Sequence, residues 1–174
     1  MAAGQRLLDP QSQRGALVRL RELVRDRGER VGRAGVRIEV FTVEEANRRI
    51  VEIRPWLARL VETKREYERI QGRVDVLKLA ASGASPGNPD AQELAGLESL
   101  RSQLADKISR GVAAIHRRGC LIKDLDLGLV DFYALAGDRL VMLCWKIDEP
   151  EIQHWHTLDG GFAGRQPLKR AKLE

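Results

Sequence analysis

Apolar positions along the chain change period, and each change marks an element. Ile50, Ile53, Leu57, Leu60, Tyr67, Ile70, Val74 and Leu77 recur mainly three and four residues apart, one stripe of a helix. Thr42-Val-Glu-Glu45 opens that segment with a capping box: the hydroxyl accepts from an orphan amide and Glu45 reaches back. Pro55 has no amide to donate and crowds the preceding turn, so the pattern predicts a short first segment, a kink or break, and a long helix to about Ala81. Ser82–Pro89 is turn chemistry throughout. Asp90-Ala-Gln-Glu93 repeats the capping-box pattern. Leu94, Leu97, Leu100, Leu104, Ile108, Val112 and Ile115 then make a second stripe, with Gly119 where a left-handed cap belongs. Two long helices joined by a short loop predict an antiparallel helical hairpin.

Elsewhere the period is two. Val36–Phe41 alternates as a strand does, and Cys120–Lys123 reads as a brief one. Leu127–Ala136 and Arg139–Lys146 face each other across Gly137-Asp138, a two-residue turn with glycine first, as type II′ prefers. That turn sets the register: Ala136 opposes Arg139, Tyr133 opposes Met142, and Asp131 opposes Cys144. One face then carries Leu129, Asp131, Tyr133, Leu135, Leu140, Met142 and Cys144, and the other Val130, Phe132, Ala134, Val141, Leu143 and Trp145. Both faces are mostly apolar, so both need cover: the helical hairpin on one, the returning tail or a second subunit of a homodimer on the other. The expected fold is α+β, a long antiparallel helical hairpin packed on a small, mostly antiparallel sheet. Arg37–Phe41 is expected to join that sheet, because an isolated β-hairpin is marginal in water.

The 174 residues suit one domain, placed at residues 36–168, with a basic extension at 1–35 and a basic tail at 169–174. In the extension Ser12 is placed to cap a short helix bearing Leu17, Leu20, Leu23 and Val24, ended by Gly28, Gly32 and Gly35. The net charge of +5 sits at the ends. Residues 1–40 hold nine arginines against five acids, residues 165–174 four basic residues against one acid, and the stretch between is slightly acidic. Because acids interrupt its basic run, the arm reads first as a solvated or frayed leader and second as a contact for an acidic partner, nucleic acid or a membrane surface, and the body does not read as a nucleic-acid binder. No apolar run approaches the ~20 residues that span a bilayer, and the first residues lack the apolar stretch of a secretory signal. Two cysteines, Cys120 and Cys144, argue against a disulfide framework and for a reducing, cytoplasmic setting.

Chemistry concentrates in Leu140–Phe162, which holds Cys144, Trp145, Trp155, His154 and His156 around an acidic turn. Phe41-Thr-Val-Glu-Glu-Ala-Asn47, Gly119-Cys-Leu-Ile-Lys-Asp-Leu-Asp-Leu-Gly-Leu-Val-Asp-Phe132, Leu143-Cys-Trp-Lys146, Glu149, Trp155-His156 and Gly161-Phe-Ala-Gly-Arg165 occur in that order. On these pieces the chain resembles the uncharacterised bacterial domain-of-unknown-function 2203 family. The resemblance spans about residues 39–168 and implies that Glu45, Asn47, Lys123, Asp124, Asp126, Asp131, Glu149, His156 and Arg165 belong to the family pattern. The chain departs from that pattern at Tyr133, Asp148 and His154, where the family has a proline, a glycine and an aromatic residue. The last departure takes His154 out of any site the family shares.

Several readings of these residues compete. The favoured one is a small-ligand pocket at the end of the β-hairpin, for an anion or a divalent metal. Lys123, His156 and Arg165 would supply positive charge, oriented by Asp131 and Glu149. For a metal, His154 and His156 at i, i+2 point the same way on an extended segment, with Cys144, Glu149 and Asp131 as further donors. A Cys144 nucleophile with His156 as base and Asp131 as orienter is disfavoured, because a mid-strand cysteine beside a carboxylate has its thiol pKa raised. The same groups also suit a purely structural polar network pinning the tail to the hairpin, in a protein- or RNA-interaction module with Trp56 or Trp155 as anchor.

Overall fold

Two helices and a five-stranded meander make up the residues that the computed structural model describes, 38–80 and 89–168. The first helix, α1 (Val43–Ala80), starts on the capping box in full. Thr42 Oγ1 accepts the Glu45 amide at 3.1 Å, and the Thr42 amide donates to Glu45 Oε2 at 2.9 Å. Contrary to the expected break, α1 runs continuously through Pro55. Val51, whose carbonyl loses its helical partner there, and Pro55 itself both lie on the exposed side, where water serves that carbonyl.

Helix α2 (Pro89–His116) returns antiparallel. It starts at Pro89, one residue ahead of the Asp90 expected to open it, with proline at the first helical position. Glu93 reaches across to α1, where its Oε1 accepts from Arg73 Nε at 2.8 Å. The turn predicted at Ser82–Pro89 lies, but for Pro89, outside the described residues, as do the expected helix after Ser12 and the basic tail. Ala46, Ile50, Ile53, Leu57 and Leu60 of α1 and Ile115 of α2 enter the common core with the sheet. Beyond Val61 the stripe changes character. Tyr67, Ile70 and Leu77 are only half-buried there, and pairs such as Lys78–Glu98 join the two helices.

Gly119, at φ +75°, turns the chain out of α2 into the sheet. The strands are β1 (Cys120–Asp124), β2 (Leu129–Ala136), β3 (Arg139–Lys146), β4 (His154–Thr157) and β5 (Gln166–Pro167), each antiparallel to the next in chain order. Strand β2 begins two residues later than the alternation predicts, because Asp124 Oδ1 accepts the Asp126 and Leu127 amides and holds Leu127 in a turn. The β2–β3 register is the expected one, Asp131 opposite Cys144 and Ala136 opposite Arg139. Gly137 is at φ +63° and no non-glycine residue described has positive φ, which makes the turn type II′ rather than I′.

Val130, Phe132, Ala134, Val141, Leu143 and Trp145 face the helices and are buried against them. The predicted strand at Arg37–Phe41 is absent: Arg37 lies outside the described residues and Ile38–Phe41 form no strand. A single bond, from the Phe41 amide to Tyr133 O at 2.8 Å, ties the segment to β2 just past the end of β1. Its alternation has another cause. Phe41 packs edge-on against Phe132 on the helix side, while Val40 joins Leu135, Tyr133 and Leu140 in a separate cluster. No described helix is long and apolar enough to cross a membrane.

Candidate functional site

The antiparallel register gathers polar side chains around Cys144 on the sheet face turned away from the helices. Asp131 of β2 lies directly opposite Cys144 on one side, and His154 of β4 lies opposite it on the other. His156 opposes Met142, two residues along, and so shares that face. Asp131 and His156 are 1% and 2% exposed and Cys144 is fully buried. A carboxylate oxygen of Asp131, Sγ of Cys144 and a ring nitrogen of His156 all lie within 4.8 Å of one another.

Hydrogen bonding fixes how the imidazole is used. His156 Nδ1 is 2.7 Å from Thr157 O. A carbonyl only accepts, so Nδ1 carries a hydrogen and donates it. The other nitrogen, Nε2, is 3.1 Å from Asp131 Oδ2. In a neutral ring that nitrogen is a lone pair, and it faces an acceptor. The contact therefore requires a cation on the shared line, either a second proton or a metal ion. Burial, followed by the Asp131 carboxylate, pushes the Cys144 thiol up to about 12. Such a thiol is the wrong starting point for a nucleophile at neutral pH, because the thiolate is the reactive form.

Three buried polar atoms of the described residues have no hydrogen-bond partner: Asp131 Oδ1, His154 Nδ1 and Arg165 Nε. All three belong to neighbours of Cys144: Asp131 and His154 by register, and Arg165 because its Nη2 donates to Cys144 O at 3.3 Å.

Next to this cluster is a second one. Arg165 Nη2 is 2.7 Å from both oxygens of Glu149, and Glu149 Oε2 also accepts the Lys146 amide at 2.9 Å. His154 Nδ1 is 3.5 Å from Glu149 Oε1, an ion-pair distance without hydrogen-bond alignment. The turn bearing Glu149 is clamped from behind by α1. Arg54 donates to Ile147 O at 2.7 Å and to Glu149 O at 2.8 Å, and its guanidinium lies 4.8 Å over the Trp145 ring. Asn47 Oδ1 accepts the Ile152 amide at 2.8 Å. Arg54 escaped the sequence reading, since an arginine on a charged helix gives no sign that it will reach carbonyls more than ninety residues away. The one available signal was Asn47, a polar residue close to the apolar stripe.

The residues singled out from sequence thus fall into separate places. Asp131 and His156 are in direct contact, and Glu149 and Arg165 pair with each other alongside. Cys144 joins the first pair and His154 borders both. Lys123 is exposed on β1 and makes no ion pair to Asp131 or Glu149 among the described residues. Arg165's charge is taken up by Glu149, which leaves little for an anionic ligand.

No curated protein and no solved structure matches the chain. The model of a family described as an uncharacterised conserved protein, DUF2203, matches residues 39–168, which takes in α1, α2 and every strand of the sheet. The chain belongs to the DUF2203 family.

Proposed function

We propose that this domain binds one divalent transition-metal ion of the zinc class through Asp131, Cys144 and His156. The observation that carries the reading is the 3.1 Å contact between Nε2 and Asp131 Oδ2 in a ring whose Nδ1 already donates to a carbonyl. An Nδ1–H held by a carbonyl is the usual way a protein orients a metal-binding histidine through Nε2. The donor set fits: one imidazole nitrogen, one carboxylate oxygen and one sulfur are the ligand types of zinc, and the last two together balance a 2+ charge. Around such an ion, donors stand roughly 3.3–3.8 Å apart given metal–ligand distances of about 2.0–2.3 Å. The observed separations, within 4.8 Å, close to that by side-chain adjustment of at most about 1.5 Å. The unpaired Asp131 Oδ1 is a further acceptor at the same point.

A bound ion would supply positive charge, and Cys144 would hold it as a thiolate, its proton released to solvent water. The chain's part is to hold the donors, which lie on three adjacent strands, β2, β3 and β4. The ion thus acts as a clip across the meander. A proton in the same gap is the competing occupant, making His156 and Asp131 a buried ion pair that only pins β4.

Reconstitution of the full chain with Zn²⁺ after chelation, followed by native mass spectrometry and elemental analysis, separates the two. The metal reading expects about one ion per chain, lost in Cys144→Ser and in His156→Ala. Wild-type protein that takes up neither Zn²⁺ nor Co²⁺ leaves the proton as occupant and ends the proposal.

A further inference from the structure

We infer that His154 supplies the fourth protein ligand, so that the centre is a closed Asp–Cys–His–His site with no coordination position for a substrate; this rests on the metal reading above. In the structure the His154 ring lies beside Glu149, outside the Asp131–Cys144–His156 group, and two observations support its turning into that group. The register puts His154 directly opposite Cys144, and the side-chain alternation puts it on the face that carries Asp131, Cys144 and His156. Histidines at i, i+2 on one strand face present their rings side by side, which is how a strand delivers two nitrogens to one ion. The His154 Nδ1 is buried with no hydrogen-bond partner, whereas His156 Nδ1 is engaged.

A buried ring nitrogen without a hydrogen bond is costly, a need that a water molecule or an ion can meet. Glu149 does not meet the need. Its Oε1 is at ion-pair distance from His154, but both its oxygens are held by Arg165 and one also accepts the Lys146 amide. Glu149 is therefore an outer partner, which sets the neighbourhood of His154 without joining the ion. The side chain of His154 is 31% exposed, against 2% for His156, so it has room to rotate towards Cys144.

The functional consequence is specific. A metal with three protein ligands and an open position activates water or a substrate, whereas four protein ligands make a structural or sensing site. Zn²⁺ binding at a closed site would stabilise the fold and create no hydrolytic activity.

The test uses the full chain loaded with Co²⁺, whose visible absorption is intense in four-coordinate tetrahedral sites and weak in five- or six-coordinate ones. The wild type is expected to show the intense tetrahedral bands together with thiolate-to-cobalt charge transfer. His154→Ala is expected to weaken Co²⁺ affinity at least tenfold, the least that even loss of an outer partner of a ligand brings. Its bands should fall in intensity as water takes the vacated position. Circular dichroism of the chelated variant checks that it folds, and His154→Gln provides a second replacement of similar size. Unchanged affinity and an unchanged spectrum in both variants, with binding still lost in Cys144→Ser, overturn the four-ligand site and leave the three-ligand one standing. A wild type that takes no Co²⁺ overturns both.

Discussion

Replacing Arg54 with alanine removes three hydrogen bonds to one turn and the contact that holds the Trp145 ring. The guanidinium donates to Ile147 O at 2.7 Å, Glu149 O at 2.8 Å and Pro150 O at 3.1 Å, and lies 4.8 Å over the indole. These contributions are unequal. Pro150 O is exposed and water replaces the arginine there, so that bond counts for little. Glu149 O keeps a second donor, Trp145 Nε1 at 3.0 Å, so it is never left bare. Ile147 O has no such reserve, and Ile147 is half-buried. With about 0.5–1.5 kcal/mol for each of the two inner bonds and about 0.5–1 kcal/mol for the cation–π contact, the loss is about 1.5–4 kcal/mol, with a midpoint of about 2.5 kcal/mol.

For a chain of this size that loss lowers Tm by about 5–10 °C. Urea unfolding followed by tryptophan fluorescence reads it directly, with the slope m unchanged if only the native clamp is lost. Arg54→Lys is the informative control, because an ammonium on a flexible stem cannot present the planar fork that serves two carbonyls at once. Lysine should recover less than half of the loss. A loss under 1 kcal/mol in Arg54→Ala, or full rescue by lysine, refutes the clamp and leaves Arg54 as an ordinary surface cation.

Thr42→Ala should cost about 1 kcal/mol by removing the hydroxyl that accepts the Glu45 amide, with Thr42→Ser close to wild type in the same unfolding assay. Gly119→Ala should destabilise by roughly 2–4 kcal/mol, since φ is +75° and a Cβ would come within 2.7 Å of the buried Phe41 ring; a variant within 0.5 kcal/mol of wild type contradicts this. Burial pushes the Cys120 thiol up to about 12, so the unfolded chain ionises this thiol near pH 9 while the folded one does not. The unfolded state then binds fewer protons, and stability falls as pH rises from about 9 towards 12, by up to about 1.4 kcal/mol per pH unit from this group. Cys120→Ala should make the alkaline limb of the stability profile shallower, and an identical limb in the variant rules the effect out.

The helices and the β2–β3 hairpin were legible because each has a short-range cause. The Thr42–Glu45 box, the i, i+3, i+4 stripes and the glycine-first turn act within a few residues, and a one-residue slip of the hairpin would turn its apolar set over. Where the reading failed, the decisive partner was distant or the residue type ambiguous. Val36–Phe41 alternates as a strand does, but Val40 and Phe41 alternate because they straddle the edge of β2, which period alone cannot distinguish from pairing. Pro55 was expected to kink or break α1, and the helix is not broken there, because whether it breaks depends on the orphan carbonyl facing water, a tertiary fact. Strand β4 went unpredicted because His-Trp-His-Thr carries no apolar alternation, although it pairs with β3 over four residues.

That last failure explains how the candidate site is built. A strand with one half-buried apolar side chain and two histidines on its other face gains little from desolvating those histidines unless something compensates them. Trp155 packs on the helix-side core, while His156 goes into the far face against Asp131 and Cys144. Burying a carboxylate and an imidazole there costs several kcal/mol unless their charges and lone pairs are matched. The structure matches them only in part: Nδ1 of His156 is satisfied, whereas Asp131 Oδ1 and His154 Nδ1 are not. A network serving only to hold the tail would gain nothing from those orphans, because the Glu149–Arg165 pair and the Arg54 clamp already hold the tail and its turn. These unpaired atoms agree with the bound-ion reading, which rests on the contact between His156 Nε2 and Asp131 Oδ2.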